Sequence, residues 1–267
     1  MYTSQSQLNR NIELIGILYD SGIPVPKVVK TLNGEAFVDI LENKYILTTK
    51  LSGVQLENAD HLDATWFFKF GEILANLHMG FRQCEATLSF WNNSMLEEMK
   101  GWVMEDLSQY KPDYLKVKDI EDSIKQLESV YKKLPKQLIH RDVHVGNFLF
   151  DKDEFSGYID FDLSQNNIRI FDICYFLLGL VSKESGIIND EKRWFEQIAA
   201  VIKGYHSIIE LTKEEKESIA CVMKNIELLF VAYFLGQQDE ILARDAGTLF
   251  NLVKANESLI NDIACNL

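Results

Sequence analysis

The stretch Leu138 to Asp162, "LIHRDVHVGNFLFDKDEFSGYIDFD", places polar side chains at the ends of short apolar segments. The segments "QLIH", "NFLF" and "GYIDF" have the length and composition of β-strands. The polar groups between and beyond them are His140, Asp142, His144, Asn147, Asp160 and Asp162. Carboxylate, carboxamide and imidazole groups are those that bind metal ions and transfer protons. We therefore treat this stretch as the candidate chemical centre.

Three of these residues have a spacing that suits phosphoryl transfer. Asp142 and Asn147 lie on a loop that leads into "FLF", and Asp160 ends the strand "GYID". A hairpin across "DKDEFSG" would bring Asp160 beside that loop. One Asn carboxamide and one Asp carboxylate suit Mg²⁺, which takes few protein ligands and leaves room for phosphate oxygens. Asp142 then remains to orient an incoming hydroxyl or to accept its proton.

Each of these assignments has a simpler alternative. Asp142 alone could be a surface acid, Asn147 a turn residue before a strand, and Asp160 a strand-end cap. We favour the chemical roles because the three residues occur together at this spacing. The Cys, His and Asp residues lack zinc-ligand spacing, and no G-x-S-x-G elbow indicates a serine hydrolase.

Helices and short strands must position this stretch. Apolar periodicity predicts helices at residues 5–20, 64–81, 93–110, 115–134, 170–183, 190–209, 212–238 and 244–266. Strand patterns before the second helix occupy residues 27–32, 35–40 and 45–51. We expect an Asn33–Gly34 turn between the first two strands and a helix break near Gly80. Thr212 and Glu215 have the spacing of a capping box.

The pattern H-x-D-x-x-x-x-N, followed by a strand-terminal Asp, resembles the aminoglycoside phosphotransferase and choline-kinase superfamily. Its motifs occur here as "HRDVHVGNFLF" and "YIDFD", with "GIPVP", "TTKLSG", "ILANLH" and "FDICYFL" in the matching order. The resemblance implies an α+β, protein-kinase-like bilobal fold. It divides the chain into a truncated, β-containing N-lobe, residues 1–53, and a mostly helical C-lobe, residues 54–267.

The resemblance also implies a role for individual residues. Asp142 corresponds to the catalytic aspartate, and Asn147 and Asp160 correspond to the Mg²⁺ ligands. The backbone at Thr49 and Leu51 would form the hinge that hydrogen-bonds adenine. The implied cofactors are Mg²⁺ and ATP as phosphoryl donor, with GTP left open.

Neighbouring polar residues receive structural or open roles. Asp172, in "FDICYF", matches an aspartate that braces the catalytic loop in relatives. His140 and His144 are expected to hold the loop by hydrogen bonds rather than to shuttle protons. Asp162 is open between a second-metal or substrate role and a solvated acid. With Arg141 the motif reads "HRD", as in protein kinases, but no "APE" segment follows it, so the small-molecule branch of the superfamily fits better.

The N-terminal part departs from the family pattern. A kinase-like N-lobe has three strands before its helix, with a glycine-rich loop and a lysine that grips the phosphates. Here the sequence begins at the helix, the first lysine is Lys27, and no G-x-G-x-x-G occurs. Three explanations stay open: Met1 is an internal methionine of a longer protein, the chain is a natural short form, or it is a pseudoenzyme.

Composition limits the class of partner. The chain has 40 acidic and 27 basic residues and a formal charge of −13, which disfavours nucleic acid and anionic membranes. The sequence shows no signal-peptide core, no apolar run of about 18 residues and no CxxC spacing, so we predict a cytoplasmic protein. The charge also suits a cationic or metal-bridged ligand, although solubility alone would explain it.

The acceptor pocket of the family is built by C-terminal helices, here residues 180–267. The acids available there are Glu210, Glu227, Asp239, Glu240 and Asp245. The aromatic residues there, which could face a quaternary ammonium but at helical spacing more commonly form core, are Trp194, Phe195, Tyr205, Phe230, Tyr233 and Phe234. Such a pocket would suit an amine-bearing alcohol.

The sequence therefore predicts an ATP- and Mg²⁺-dependent phosphotransferase. Its acceptor would be a hydroxyl of a small molecule such as an aminoglycoside, choline or another amino alcohol, with homoserine and sugar-like acceptors open. The alternative is a non-catalytic pseudokinase or scaffold protein of the same fold. The sequence does not indicate an oligomeric state.

Overall fold

The computed structural model describes residues 5–41, 43–56, 62–90, 92–183, 186–187 and 190–267. Its fold is α+β, as the sequence predicts. The α-helices within these ranges are α1 (Gln5–Asp20), α2 (Ala64–Glu85), α3 (Met95–Glu98), α4 (Met104–Tyr110), α5 (Val117–Tyr131), α6 (Ile170–Gly179), α7 (Glu191–Ile208), α8 (Lys213–Lys216), α9 (Ile219–Gly236), α10 (Glu240–Ala255) and α11 (Glu257–Cys265). The strands are β1 (Val38–Ile40), β2 (Asn43–Tyr45), β3 (Val54–Gln55), β4 (Lys136–Ile139), β5 (Phe148–Asp151), β6 (Glu154–Tyr158), β7 (Gln165–Ile168), β8 (Ser182–Lys183) and β9 (Gly186–Ile187).

The β5–β6 hairpin carries the candidate chemical centre. Its strands pair antiparallel, with Phe148 opposite Tyr158. β3 adds a third strand, with Val54 opposite Phe150. The ring of Phe148 stacks on Phe176 of α6, with 5.7 Å between centroids, which fixes the hairpin to the helical body.

A second antiparallel pair, β4 with β7, holds the beginning of the candidate stretch. Ile139 lies opposite Gln165, directly before the loop that begins at His140. The sequence "QNNI" of β7 has no strand pattern, so this strand is missing from the prediction. Three of its four residues are buried, and Asn167 among them accepts the Tyr131 hydroxyl at its Oδ1 at 3.1 Å.

The N-terminal strands are shorter than predicted. β1 and β2 form a hairpin in which every residue is exposed. Residues 27–32 contribute only an isolated bridge between Val28 and Thr48, so the prediction of continuous strands there is wrong. Strand-forming residues need a surface to pack against, and most residues of this segment are exposed. The predicted turn does occur, with the Gly34 amide donating to the Thr31 carbonyl at 2.9 Å.

The helical body packs α2 against α7 at close range. A Cβ at Gly71 would collide with the backbone of Val201, and one at Gly204 would collide with Phe68, so both glycines allow the approach. The predicted break at Gly80 is wrong, because α2 continues through it. Gly80 instead makes room for side chains that precede α2.

α9 is a core helix. By length and composition it is the described helix that could cross a membrane, but 78% of it is buried inside the protein. The predicted capping box forms, with Thr212 and Glu215 bonded reciprocally at the beginning of α8.

The predicted C-terminal helix divides at Asn256 into α10 and α11. The division of the chain at residue 53 stays a prediction.

Candidate active site

Asp172 at the beginning of α6 holds the loop that precedes β5. Its Oδ1 accepts the Arg141 amide and its Oδ2 accepts the His140 amide, each at 2.8 Å. His78 of α2 contacts Oδ2 through Nε2 at 3.0 Å and the Tyr205 hydroxyl through Nδ1 at 2.8 Å. The side chains of Asp172 and His78 are fully buried. The loop is therefore tied to three helices, α2, α6 and α7, which fits the structural role expected for Asp172.

Arg141 takes a strained backbone conformation, with φ at +71°. Such a conformation costs on the order of 1–3 kcal/mol for a residue with a side chain, and it persists where neighbouring contacts fix it. The amide bond to Asp172 is one such contact. The Arg141 guanidinium also donates to Glu98 Oε1 of α3 at 2.8 Å. These contacts direct the chain into the next residue, Asp142.

Two hydrogen bonds orient Asp142. The Tyr175 hydroxyl of α6 donates to its Oδ1 at 2.7 Å. The Asn147 side chain donates from Nδ2 to the Asp142 carbonyl at 2.7 Å, which closes the loop on itself. Oδ2 of Asp142 has no hydrogen-bond partner in the described part of the chain. One carboxylate oxygen is thus held, and the other is available to a ligand.

His140 is buried and acts as a fixed link. Burial lowers the pKa of its imidazole, so the neutral form is favoured at neutral pH. Its Nδ1 lies 3.4 Å from the Asp142 amide, and its Nε2 lies 3.1 Å from the Ile159 carbonyl. The neutral ring with its proton on Nε2 satisfies both contacts. His140 therefore connects the loop to the end of β6, as a hydrogen-bonding role requires.

Asn147 and Asp160 lie at the open end of the β5–β6 hairpin, Asn147 directly before β5 and Asp160 shortly after β6. The Ile159 amide donates to the Asn147 carbonyl at 3.1 Å, which places Asp160 next to the end of the loop. Asp160 is exposed, with φ at +65°. Asn147 Oδ1 and the Asp160 carboxylate have no hydrogen-bond partners among the described residues. Hard oxygen atoms that remain free in this way fit a Mg²⁺ ion that also binds phosphate.

The predicted hinge, with Thr49 and Leu51, lies against the same hairpin. The Thr49 amide donates to the Lys27 carbonyl at 2.8 Å, and the Thr49 carbonyl accepts no hydrogen bond from the described residues. Leu51 packs over Gly157 of β6, where an added Cβ would collide with the leucine side chain. The backbone amide of Leu51 makes no hydrogen bond within the described residues. Leu51 therefore lies on the hairpin with a free donor, and a free acceptor lies two residues before it in the chain.

A cavity of about 220 Å³ lies between α6, α9 and α10, beside the loop. The polar and aromatic residues that line it are His144, Tyr175, Glu227, Phe230, Phe234 and Asp245. Glu227 and Asp245 belong to the acids that the sequence singled out. Two of the others lie elsewhere: Asp239 caps α10 through the Leu242 amide, and Glu240 is exposed.

Tyr175 is the site residue that sequence reasoning missed. It is an aromatic residue in the apolar helix α6, so periodicity assigns it to the core. Its position three residues after Asp172 was the available signal, because residues three apart lie on one face of a helix. Asp162, left open by the sequence, is partly buried, and its carbonyl accepts from the Gln7 side chain at 3.3 Å.

The model of the phosphotransferase enzyme family (APH) matches residues 3–216. This chain belongs to that family. The homoserine kinase of Zymomonas mobilis subsp. mobilis is 26% identical over 220 residues, which are 78% of this chain and 63% of that protein. The homoserine kinase of Methylobacillus glycogenes is 24% identical over 255 residues, 93% of this chain and 74% of that protein. The chain thus spans between 63% and 74% of the length of these two relatives.

Solved structures show that the fold is that of the protein-kinase-like small-molecule kinases. A microcompartment-associated aminopropanol kinase superposes with a TM-score of 0.70 and 17% identity over 97% of this chain and 84% of its own. The amicoumacin kinase hAmiN, in complex with AMP-PNP, Ca²⁺ and Ami, superposes with a TM-score of 0.69 and 19% identity over 97% of this chain and 78% of its own. The resemblance inferred from the motifs is confirmed. The roles of the individual site residues stay predictions.

Proposed function

We propose that this protein is an ATP- and Mg²⁺-dependent phosphotransferase that acts on a hydroxyl group of a small molecule. The observation that carries the proposal is the position of Asp142. Through Tyr175 its carboxylate borders the cavity between α6, α9 and α10. Through Asn147 its backbone is tied to the hairpin end that carries Asp160. An acceptor and a phosphoryl donor would therefore meet at this residue.

In an in-line transfer, different groups of the chain would have different roles. The free oxygen of Asp142 aligns the acceptor hydroxyl and takes its proton as the acceptor oxygen bonds to the γ-phosphorus. The bond from that phosphorus to the bridging oxygen breaks, and ADP leaves. Mg²⁺, bound by Asn147 and Asp160, would neutralise charge on the phosphates. The Thr49 carbonyl and the Leu51 amide would hold the adenine edge.

The family and the relatives support a small alcohol as acceptor, and the carboxylates of the cavity favour one that carries an amine. We also place the protein in the cytoplasm, where ATP is available. The described cysteines support this, since all four are free thiols and three of them are buried.

The test compares Asp142→Asn with Asp160→Ala. We expect Asp142→Asn to lower turnover by at least about 100-fold while Mg²⁺-ATP binding by calorimetry is retained. Asp160→Ala should weaken Mg²⁺-ATP binding itself, because it removes a metal ligand. Equal turnover in the wild type and Asp142→Asn would overturn the proposal.

The second candidate function is a scaffold of the same fold without catalysis. A scaffold would keep the loop that Asp172 holds for folding alone. A scaffold should show no Mg²⁺-dependent binding of ATP that is lost in Asp160→Ala, so the same titration separates the two functions.

A further inference from the structure

Glu227 of α9 differs from the other buried acids of the described residues because it has no partner. Its side chain is only 4% exposed, yet its carboxylate makes no hydrogen bond or ion pair with the part of the chain that the structure describes. By contrast, Asp172 accepts two backbone amides, and Glu215 binds the Arg169 guanidinium and the Thr212 amide. A buried carboxylate without a partner is costly to the folded state.

Because of this cost, a ligand that paired with Glu227 would stabilise the folded protein. Burial raises the pKa of the Glu227 carboxyl well above its usual value, which expresses the same penalty on its charged form. Glu227 is one of the residues that line the cavity described above. A cation that entered the cavity would therefore supply the partner that the protein lacks.

The walls of the cavity suit an organic cation. The rings of Phe230 and Phe234 stack at 5.7 Å between centroids, and Tyr175 lies 5.8 Å from Phe230. Aromatic faces attract alkylammonium groups. Asp245, which is partly buried, adds a second carboxylate to the lining.

The same walls disfavour an acceptor that carries a carboxylate. No lysine or arginine is among the described residues that line the cavity. A carboxylate on the acceptor would face Glu227 and Asp245, neither of which can neutralise it, and an unpaired charge in such a place is costly. The volume of about 220 Å³ is below the ~300–1,000 Å³ of sites for drug-sized ligands, so a multi-ring aminoglycoside is disfavoured as well.

Resting on the proposed function, we propose that the acceptor is a small alcohol with a protonated amine and no carboxylate, and that Glu227 binds the amine. The hydroxyl end would lie at Asp142, because Tyr175 both lines the cavity and bonds to that carboxylate. This acceptor differs from homoserine, whose kinases are the relatives described above, by the missing carboxylate alone.

The experiment uses three matched alcohols. L-Homoserine carries an amine and a carboxylate, 3-amino-1-propanol keeps only the amine, and 4-hydroxybutyrate keeps only the carboxylate. Binding of each is measured by calorimetry in the presence of Mg²⁺-AMP-PNP, and phosphorylation is measured with Mg²⁺-ATP. The proteins are the wild type, Glu227→Gln and, as a matched control, Glu240→Gln, which makes the same change at an exposed acid outside the cavity.

We expect wild-type kcat/KM for 3-amino-1-propanol to exceed that for either other alcohol by about 100-fold. Glu227→Gln should lower kcat/KM and affinity for 3-amino-1-propanol by about 100-fold, and Glu240→Gln should change neither. Gln has the shape of Glu and removes a buried carboxyl that has no partner, so the variant should fold, and a thermal melt checks this.

The outcomes separate the two proposals. If homoserine or 4-hydroxybutyrate is bound and phosphorylated at least as well as 3-amino-1-propanol, the inference fails and the kinase stands. Equal affinity of the wild type and Glu227→Gln for 3-amino-1-propanol also overturns the inference. If 3-amino-1-propanol binds in a Glu227-dependent way without being phosphorylated, the amine site stands and the proposed function fails.

Discussion

The loop from His140 to Asn147 bonds to helices α3 and α6 and to the end of β6, whereas the strands β1, β2 and β3 expose every residue. The loop contains a strained residue, a buried imidazole and polar side chains, yet each is fixed by a specific contact. The N-terminal strands contain apolar residues that are solvent-exposed, among them Ile40 at 52% and Val54 at 70%.

This difference in packing distinguishes the groups proposed for phosphoryl transfer from the hinge proposed to bind the nucleotide base. The groups proposed to bind Mg²⁺ and accept a proton are positioned mainly by helices α3 and α6 and by the β5–β6 hairpin, and β3 adds one bond, from the Gln55 side chain to the Gly146 carbonyl. The hinge proposed to bind adenine belongs to a part of the chain that buries little and gains little stability from its own packing. A nucleotide bound there would stabilise that part by mass action. The following substitutions test this comparison, from the largest expected effect to the smallest.

Asp172→Asn should have the largest effect on stability. The replacement keeps one acceptor but turns a donor toward a backbone amide of the loop, so the bond to His140 or Arg141 is lost in a fully buried place. We expect the free energy of unfolding, from urea titration, to fall by about 3 kcal/mol. Mg²⁺-ATP binding should weaken because the loop positions Asn147.

The control for this substitution is Asp151→Asn, at the exposed end of β5. It makes the same chemical change on the β5–β6 hairpin, without a buried partner, and it should alter the unfolding free energy by less than about 0.5 kcal/mol. If Asp172→Asn were as stable as this control, the loop would be held by other contacts and the comparison would lose its basis.

Tyr175→Phe should affect turnover more than stability. It removes the donor to Asp142 Oδ1 and keeps the ring in place. Burial, followed by the charge of Asp142, raises the pKa of the Tyr175 hydroxyl, so it stays a donor throughout the assay range. Hydrogen bonds to charged groups contribute about 1.5–3 kcal/mol, so we expect kcat to fall by about 30-fold with KM for ATP unchanged.

Tyr233→Phe is the matched control, since Tyr233 of α9 is 48% exposed and lies outside the cavity lining. It should leave both kinetic constants unchanged. A Tyr175→Phe variant with wild-type kcat would show that Asp142 is oriented without the tyrosine, and the positioning role would be withdrawn.

Much of the candidate site follows from the sequence, because local spacing determines it. The hairpin after Asn147 and the place of Asp160 at its end follow from strand patterns and one turn. The brace at Asp172 followed from the family resemblance. Tyr175 was assigned to the core by its periodic pattern, although its spacing from Asp172 was a signal. Glu227 was among the acids proposed for the acceptor pocket, but its lack of a partner could not be predicted, since it depends on what faces α9 across the cavity.

The fold was less predictable where pattern and packing disagree. β7 has a polar sequence and is buried beside β4, with Asn167 bonded to Tyr131, so its burial depends on residues distant in the chain. Residues 27–32 have a strand sequence and form no strand, because a strand needs a sheet and a covered face. Both errors arise from tertiary contacts that override local preference.

The smallest effect is expected for Ile40→Thr in β1. Ile40 is 52% exposed, and the substitution keeps a β-branched side chain in a strand, so the free energy of unfolding should change by less than about 0.5 kcal/mol. Ile139→Thr makes the same change in β4, where the side chain is fully buried beside the catalytic loop. There the lost methyl group and the buried hydroxyl should cost about 2 kcal/mol. Urea titrations of both variants measure the difference directly. Equal losses would mean that β1 is covered in solution, and the N-terminal strands would then be as firmly packed as the loop.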